Sequence, residues 1–365
     1  MEFTNLKAQY QKLQSEINQN IANVLERGDY ILGKEVRMLE EKLAIHVGRK
    51  YCVSCANGTD AMTMALMAWG IGPGDAVFVP SFTFFATSEV VSLSGATPIF
   101  VDITLDTYNM CPTSLKNAIE TVKQEKKLTP KLIITVDLFG QCADYSAILP
   151  LAQKHNLLVL EDAAQSFGAE QNGVKACKFG DISTTSFFPS KPLGCYGDGG
   201  AIFTDSDELY ELLTSIRVHG KGRDKYDNVR IGLNSRLDTI QAAILLPKFK
   251  ALVDYELDLR NRWAERYTQL LKGHVITPEI APNNLSAWAQ YTIRVSNRVS
   301  IVGKLAEAGV PSNVYYPKAL HQQTVYRHTD FHLPNSEQSA REVLSLPFSP
   351  YVTEAEIEKV TGLLS

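Results

Sequence analysis

One lysine lies in a stretch of sequence that carries no other charged side chain. Lys191 stands in the run Pro189-Ser190-Lys191-Pro192-Leu193-Gly194, directly after the β-branched stretch 182–188. Because removal from water disfavours an ammonium relative to the neutral amine, a lysine in such surroundings becomes a better nucleophile. The sequence therefore predicts that Lys191 forms a covalent bond to a carbonyl carbon.

A carboxylate follows another apolar stretch, residues 157–160. The chain there reads Glu161-Asp162-Ala163-Ala164-Gln165-Ser166, which places Asp162 at the end of a predicted strand and Gln165 one turn beyond it. A carboxylate in this position can keep the nitrogen of a pyridine ring protonated, because its negative charge favours the cationic form of the ring. We therefore predict that Asp162 pairs with a heterocyclic nitrogen.

Two further stretches have the character of a phosphate site and of a ring-stacking site. After residues 51–55 comes Ala56-Asn57-Gly58-Thr59, where a glycine permits close backbone approach and Thr59 opens a helix with free N–H groups. Ser186 lies near the end of stretch 182–188 and offers a hydroxyl. Phe84, within Ser81-Phe82-Thr83-Phe84, offers an aromatic face to a planar ring.

Each of these features has a simpler explanation when it is taken alone. Asn-Gly is typical of turns, an aspartate can cap a helix, a phenylalanine can belong to the core, and a lysine is usually solvated. Together they supply a phosphate seat, a stacking ring, an acid and a lysine on successive strands. Those are the parts that a site for pyridoxal-5'-phosphate (PLP) needs.

The elements that must position these side chains form an alternating pattern. Short apolar or β-branched runs alternate with helical patterns between residues 51 and 205, and the runs are 51–55, 76–80, 97–102, 131–137, 157–161, 182–188 and 200–204. Such alternation predicts an α/β fold with a mostly parallel sheet and helices on both faces. Ligands of such sheets bind at the carboxyl ends of the strands, where the chemically active residues stand.

The flanking segments predict an N-terminal arm and a second, smaller domain. The first 45 residues have two amphipathic helical patterns joined by Gly28-Asp29-Tyr30. A long helical stretch, 237–271, should be interrupted near Pro247, and strands are expected near 290–295 and 313–316. We place the arm and large domain at residues 1–245 and a small α+β domain at 246–365.

The composition excludes several classes of protein. The 365 residues carry a formal charge of −4 with interspersed acids and bases, which disfavours nucleic acid as a partner. Since no apolar run approaches the roughly 20 residues that a membrane span needs, we expect a soluble, unexported, cytoplasmic protein. Six cysteines in so long a chain are expected to be reduced thiols, and Cys52 and Cys55 to be buried rather than a redox pair or half of a zinc site.

The sequence resembles the DegT/DnrJ/StrS family of sugar aminotransferases over essentially its whole length. The stretches that carry the likeness are 55–61, 161–166, 186–200 and 232–238. The resemblance implies a PLP-dependent fold-type I architecture like that of aspartate aminotransferase. It implies that Lys191 carries the cofactor, and that Asp162 contacts the ring nitrogen, Gln165 the ring oxygen and Phe84 the face of the ring. It also implies phosphate contacts from Gly58, Thr59 and Ser186, and from Asn234, which reaches the phosphate of the neighbouring subunit.

Within the family, the likeness is greatest to 3-aminotransferases that act on UDP-2-acetamido-2-deoxy-3-keto-glucuronate for bacterial surface polysaccharides such as O-antigen, with glutamate as amino donor. The resemblance implies a homodimer with shared active sites and substrate contacts at Gly28, Tyr30, Ser190, Arg236 and Tyr316. An arginine fork suits a carboxylate because it donates two parallel hydrogen bonds. One departure concerns Tyr315, which stands where these relatives usually have His and brings no positive charge to the substrate carboxylate.

Three other functions compete with this prediction. A sugar dehydratase of the same family would carry His in place of Lys191, and a non-catalytic regulatory protein would have a broken set of site residues. An aminotransferase for a 4-keto-6-deoxy or 3-keto-6-deoxy sugar would not need Arg236 to face the sugar. His219 is interpreted as a surface residue rather than part of the site.

Overall fold

The computed structural model describes residues 1–224, 226–327 and 331–364. Its helices are α1 Leu6–Arg27, α2 Lys34–Val47, α3 Gly58–Ala68, α4 Ala86–Leu93, α5 Pro112–Glu125, α6 Tyr145–His155, α7 Asp207–Ile216, α8 Thr239–Ala251, α9 Leu257–Leu271, α10 Arg298–Glu307, α11 Pro334–Glu342 and α12 Glu354–Gly362. Its strands are β1 Tyr51–Cys55, β2 Asp75–Pro80, β3 Thr97–Val101, β4 Thr129–Val136, β5 Leu158–Asp162, β6 Glu170–Gln171, β7 Val174–Lys175, β8 Ile182–Ser186, β9 Gly200–Thr204, β10 Asn284–Leu285, β11 Tyr291–Arg294 and β12 Val343–Leu346.

A seven-stranded sheet dominates the described part of the chain, in the order β1-β9-β8-β5-β4-β2-β3. The pairs from β8 through β3 are parallel, and β9 runs antiparallel to both β8 and β1. The carboxyl ends of β1, β2, β4, β5 and β8 therefore meet at one edge. This confirms the predicted α/β fold with a mostly parallel sheet.

The two faces of the sheet are buried beneath separate sets of helices. On one face, alternate residues such as Phe78 and Ile133 pack with apolar residues of α2, α5, α6 and α8. On the other, Val79 and Ile134 pack with residues of α3, α4 and α7. Because neighbouring strand residues point to opposite faces, a sheet covered on both sides reads as a continuous apolar run. This explains why the strands are visible in the sequence.

The predicted interruption of the long helix at Pro247 is wrong. Pro247 lies inside α8, and the change of helical geometry comes later, in a π-helical turn at Leu252–Glu256. A proline in a helix cannot donate to the carbonyl four residues earlier, which here belongs to Ala243. The Asn20 side chain of α1 donates to that carbonyl instead, at 3.1 Å. The helix therefore continues because the N-terminal arm supplies the missing hydrogen bond.

The C-terminal part of the chain corrects one predicted strand. The strand expected near 290–295 is present as β11, but its partner is β12, which the sequence did not reveal. Residues 313–316 form no strand, and only Asn313 makes an isolated bridge, to Ser345 of β12. The segment leaves the small sheet after that bridge, because Tyr316 turns toward the edge of the large sheet. The division of the chain at residue 245 falls within α8 and stays a prediction.

The six cysteines form no disulfide bond in this structure. Cys52 and Cys55 are buried, which confirms that part of the prediction. Burial raises the pKa of both thiols, which keeps them protonated. Within the described residues, no group of His, Cys, Asp and Glu side chains could hold a metal ion. The same residues include no helix with the length and apolar character of a membrane span.

Candidate active site

Three strand termini meet at the edge of the sheet where the predicted site residues stand. Cys55, the last residue of β1, pairs with Gly200 at the start of β9, and Gly200 also pairs with Ser186, the last residue of β8. The ends of β5 and β2 follow along the same edge. The sheet therefore brings together residues that lie more than 100 positions apart in the sequence.

A backbone cradle closes around the start of α3. A Cβ atom on Gly58 would lie 2.8 Å from the Cβ of Ser186, and one on Gly200 would lie 2.6 Å from the carbonyl of Asn57. Only glycine fits such approaches. The helix begins at Gly58, one residue before the predicted start, and Asn57 caps it by accepting the N–H of Asp60 at 2.8 Å.

The remaining N–H groups of that first turn have no partner within the helix, which suits them to an anion. Gly58 and Thr59 thus lie at a helix terminus beside the Ser186 hydroxyl. Asn57 was missed as a functional residue, although Asn is among the preferred residues at helix N-caps and could have been identified on that basis.

Lys191 and Asp162 influence each other electrostatically at this edge. Burial lowers the pKa of the Lys191 ammonium, and the negative charge of Asp162 opposes this by a smaller amount. Burial likewise raises the pKa of Asp162, while the N–H of Ala164, 3.1 Å from its Oδ1, and Lys191 lower it. A desolvated amine is more often neutral at a given pH and can then take a proton or attack a carbonyl carbon.

Gln165, Tyr316 and Phe84 form the next layer above the strand ends. The Gln165 side chain accepts the N–H of Phe139 at 2.7 Å, and its Nε2 donates to the hydroxyl of Tyr316 at 3.3 Å. The ring centroids of Tyr316 and Phe84 are 6.1 Å apart. Phe84 remains 56% exposed, so part of its ring surface is available to a planar ligand.

We name Gly58, Asp162, Gln165, Ser186 and Lys191 the cofactor floor. These residues come from the ends of β1, β5 and β8, or directly follow them. Four residues predicted to contact substrate or phosphate, which we name the substrate rim, lie on other segments. They are Gly28, Tyr30, Asn234 and Arg236.

The two segments of the substrate rim contact each other and, through one hydrogen bond, the residue that follows β1 of the large sheet. Ile31 forms a bridge with Asp238, and the hydroxyl of Ser235 accepts the N–H of Ala56 at 3.1 Å, next to the phosphate cradle. The rim segments therefore run from the N-terminal arm to the cofactor floor. Tyr30 and Asn234 nevertheless have exposed side chains in the single chain.

Ser190 and Tyr315, two further residues predicted to contact substrate, lie outside the substrate rim. Ser190 is partly buried beside Lys191. The Tyr315 hydroxyl accepts a hydrogen bond from Asn313 at 3.3 Å, and its ring lies edge-on to Phe3 and Tyr316, with centroids 6.2 and 5.8 Å away. Tyr315 thus connects the N-terminal segment to residues 313–322, a segment that carries Tyr316 and that we name the strap.

The residues at this edge fit PLP. The helix terminus with its two glycine approaches suits a phosphate, the buried Asp162 suits a pyridinium nitrogen, and the exposed face of Phe84 suits a planar ring. Bound PLP would supply the carbonyl carbon that captures amines and the electron sink for the reaction. Fold and site together define a PLP-dependent enzyme of fold type I.

Comparison with known proteins narrows this class. The model of the DegT/DnrJ/EryC1/StrS aminotransferase family matches residues 11–365. The chain is 48% identical to the UDP-2-acetamido-2-deoxy-3-oxo-D-glucuronate aminotransferase of Pseudomonas aeruginosa, an alignment that covers 100% of this chain and 99% of the relative. The protein belongs to the DegT/DnrJ/EryC1/StrS aminotransferase family.

Solved structures agree with the family in fold and cofactor. The crystal structure of a DegT DnrJ EryC1 StrS aminotransferase from Brucella abortus has a TM-score of 0.98 and 50% identity, covering 100% of this chain and 98% of that one. NtdA of Bacillus subtilis, solved with bound cofactor PMP, has a TM-score of 0.87 and 32% identity, covering 97% of this chain and 81% of NtdA. The chain is a PLP-dependent aminotransferase.

Proposed function

We propose that the protein transfers the amino group of glutamate to C3 of UDP-2-acetamido-2-deoxy-3-oxo-glucuronate. The observation that carries the proposal is the desolvated Lys191 beside Asp162, within a chain that matches the Pseudomonas aeruginosa enzyme over its full length. Lys191 takes the proton from the α-carbon of glutamate at its neutral Nζ and returns it during transfer. The same proton movements in reverse deliver the amine to the keto sugar.

The remaining residues of the cofactor floor, together with Thr59 and Phe84, each have one task in this proposal. Asp162 keeps the ring nitrogen protonated, and Gln165, fixed by Phe139 and Tyr316, lies beside the ring oxygen. Gly58, Thr59 and Ser186 hold the phosphate, and Phe84 covers one face of the ring. Since these groups are in place before substrate arrives, little reorganisation is needed during the reaction.

The substrate rim would recognise the sugar acid. Arg236 can donate two parallel hydrogen bonds to a carboxylate, whether that of the uronate or that of glutamate. Gly28, Tyr30, Ser190, Tyr315 and Tyr316 are proposed to line the rest of the sugar site.

We also propose a homodimer in which Asn234 reaches the phosphate of the neighbouring subunit. The segment before it exposes apolar side chains, with Val229 53% and Ile231 85% accessible in the single chain. Apolar side chains grouped in this way are typical of a contact with another protein surface. The reaction is placed in the cytoplasm, where it would supply an amino sugar for O-antigen or another surface polysaccharide.

One observation favours a second candidate substrate. Tyr315 brings no positive charge to the sugar site, and its hydroxyl is already engaged by Asn313. A 4-keto-6-deoxy sugar carries no carboxylate and would not need a charge there.

An absorbance experiment separates the candidates. Glutamate is added to the purified protein first, and the UDP-linked 3-keto uronate, generated in place by a dehydrogenase, is added second. We expect glutamate to shift the absorbance of the bound cofactor and the keto acid to restore it. Restoration by a 4-keto-6-deoxy sugar alone would contradict the proposed substrate, and no response to glutamate would contradict the proposed donor.

A further inference from the structure

A histidine outside the proposed set of site residues is bonded to the loop that carries Phe84. His321 Nδ1 lies 2.6 Å from the hydroxyl oxygen of Ser81, and the backbone N–H of Leu320 donates to the Ser81 carbonyl at 2.7 Å. Ser81 directly follows β2 and is fully buried, and His321 is buried too. These two hydrogen bonds and a longer one, from the backbone N–H of His321 to the Ser81 hydroxyl, join segments that are about 240 positions apart in the sequence.

The other ring nitrogen fixes how the protons are arranged. His321 Nε2 lies 3.4 Å from a carboxylate oxygen of Glu337 in α11. A proton on Nε2 donates to that carboxylate, which leaves Nδ1 as the acceptor of the Ser81 hydroxyl. Burial lowers the pKa of His321 and thereby favours this neutral ring, while Glu337 and Asp102 raise the pKa and His332 lowers it.

A serine, a histidine and a glutamate in this order resemble a nucleophilic triad, but the surroundings do not suit one. The Ser81 side chain has no exposed surface, and its hydroxyl also receives the backbone N–H of His321 at 3.4 Å. A nucleophile must reach a substrate carbon. The arrangement therefore suits a link between segments better than a catalytic group.

The hydrogen bond between Ser81 and His321 links the two segments that carry Phe84 and Tyr316, next to the proposed position of the cofactor ring. Phe84 is three residues beyond Ser81, and its neighbour Phe82 packs edge-on against Tyr316 with centroids 6.2 Å apart. Tyr316 precedes His321 by five residues and bonds Gln165. Phe84 itself is more than half exposed, so packing alone does not define its position.

We propose that His321 is a positioning residue that fixes Ser81, and through it the Phe82–Phe84 turn, against the face of the cofactor ring that Phe84 covers. The proposal rests on the stacking role given to Phe84 in the proposed function. The proposal adds that the strap, residues 313–322, positions two residues that contact the cofactor ring. Near one end of the strap Tyr316 orients Gln165, and near the other end His321 anchors Ser81 and thereby Phe84.

Two substitutions at the same position separate the two bonds of the histidine. In His321→Asn the side-chain amide takes the place of Nδ1 and still accepts the Ser81 hydroxyl, but it does not reach Glu337. In His321→Gln the amide takes the place of Nε2 and keeps Glu337 while losing Ser81. Ser81→Ala removes the same bond from the other side, and His274→Asn, at an exposed histidine, is the control.

The measurements are hydrogen exchange of residues 81–87 in the full-length, cofactor-loaded protein and the rate at which cofactor is lost on dilution. We expect His321→Gln and Ser81→Ala to raise exchange in this segment and to speed cofactor loss about tenfold, which is the effect of one buried hydrogen bond. His321→Asn should stay within about threefold of the parent, and a thermal melt shows that each variant is folded.

Phe84→Ala completes the test. If His321 acts through Phe84, the double variant Phe84→Ala, His321→Gln should lose cofactor no faster than Phe84→Ala alone. The positioning role is overturned if His321→Gln leaves hydrogen exchange of residues 81–87 unchanged. It is also overturned if His321→Asn and His321→Gln raise exchange and cofactor loss equally, whatever the result for Phe84→Ala. A different result would be raised hydrogen exchange in His321→Gln together with an unchanged rate of cofactor loss in Phe84→Ala. That result overturns the stacking role of Phe84, and with it the link between His321 and the cofactor.

Discussion

The cofactor floor and the substrate rim of this protein are built in opposite ways. The floor consists of strand ends whose backbones approach within contact distance and whose carboxylate and amine are buried. The rim consists of a helix end and a loop, with Tyr30 47% exposed and Asn234 exposed as well. A single chain thus contains the whole floor but leaves its rim open to solvent.

This difference indicates where specificity is decided. Chemistry that is common to a family can be fixed by a rigid sheet edge, whereas the substrate recognition that we propose lies on loops that a second subunit would complete. Substitutions in the floor should therefore abolish turnover, and substitutions in the rim should change which sugar is used or whether the dimer forms.

The largest effect is expected for Lys191→Ala. The variant has neither the amine that binds the cofactor nor the base that moves the proton, and proton transfer alone contributes about 10²–10⁴ in rate. We expect a loss of at least about 10⁴-fold in kcat and of the absorbance that the lysine-bound cofactor gives. Lys154→Ala, at an exposed lysine in the last turn of α6, should change neither. A turnover close to that of the parent would end the assignment of Lys191.

Asp162→Asn should cost about 10²-fold in kcat, because the group that holds the ring nitrogen protonated becomes neutral. It should also move the titration of Lys191. Asp162 raises the pKa of Lys191, so its removal lowers that pKa and the neutral amine appears at lower pH. The rate of Lys191 modification by an amine-reactive reagent, measured against pH in cofactor-free protein, should rise at a lower pH in the variant. A shift to higher pH would contradict the proposed interaction.

Arg236→Lys tests the rim. Lysine keeps the charge but cannot donate two parallel hydrogen bonds to one carboxylate. We expect KM for the keto uronate to rise about 30-fold with kcat changed little, and KM for a sugar without a carboxylate to stay the same. Equal effects on both sugars would place Arg236 away from the sugar acid.

Ile231→Asp tests whether a second copy completes the rim. A carboxylate in place of this exposed isoleucine should weaken dimerisation about tenfold or more, because burial of an unpaired charge is unfavourable. Sedimentation at several concentrations measures the change, and specific activity should fall on dilution. Val299→Asp, at an 88% exposed valine of α10, is the matched control. Equal behaviour of the two variants would show that the segment at 229–231 is not the contact.

Tyr315→His is expected to have the smallest effect. It introduces the residue that the sequence resemblance implies at this position, and a partly buried imidazolium would add one charge-assisted contact to the sugar acid. KM for the keto uronate should fall by about threefold or less, and more at pH 6 than at pH 8 because the imidazole is then more often charged. A large change in kcat would mean that Tyr315 acts in the chemistry instead.

The floor can be predicted from the sequence because most of its residues end or closely follow an apolar run. Strands buried on both faces are legible as continuous hydrophobic stretches, and the polar residue at the end of each marks the same sheet edge. The positions of Asp162 and Ser186 at the ends of β5 and β8 are predicted in this way from the amino-acid sequence alone. The parts that were missed depend on contacts between distant segments, which leave no local pattern.

Two wrong predictions of secondary structure show how contacts between distant segments override local sequence patterns. Pro247 predicted a break, yet the helix continues because Asn20, more than 200 residues earlier, supplies a donor to Ala243. The β-branched and aromatic residues near Tyr316 predicted a strand, yet the backbone turns toward Gln165 and keeps only the bridge at Asn313. The bond between Ser81 and His321 has no sequence signal at all, since neither residue belongs to a periodic pattern.

The position of β1 at the border of the large sheet has a consequence for synthesis. In the described chain β1 pairs only with β9, which follows it by about 145 residues. At roughly 5–20 residues per second, a ribosome needs about 7–30 s to make the intervening chain. The phosphate cradle cannot assemble before then, because Gly200 forms one of its walls. A nascent chain that ends before β9 should therefore be unable to take up cofactor, however complete its first strands are.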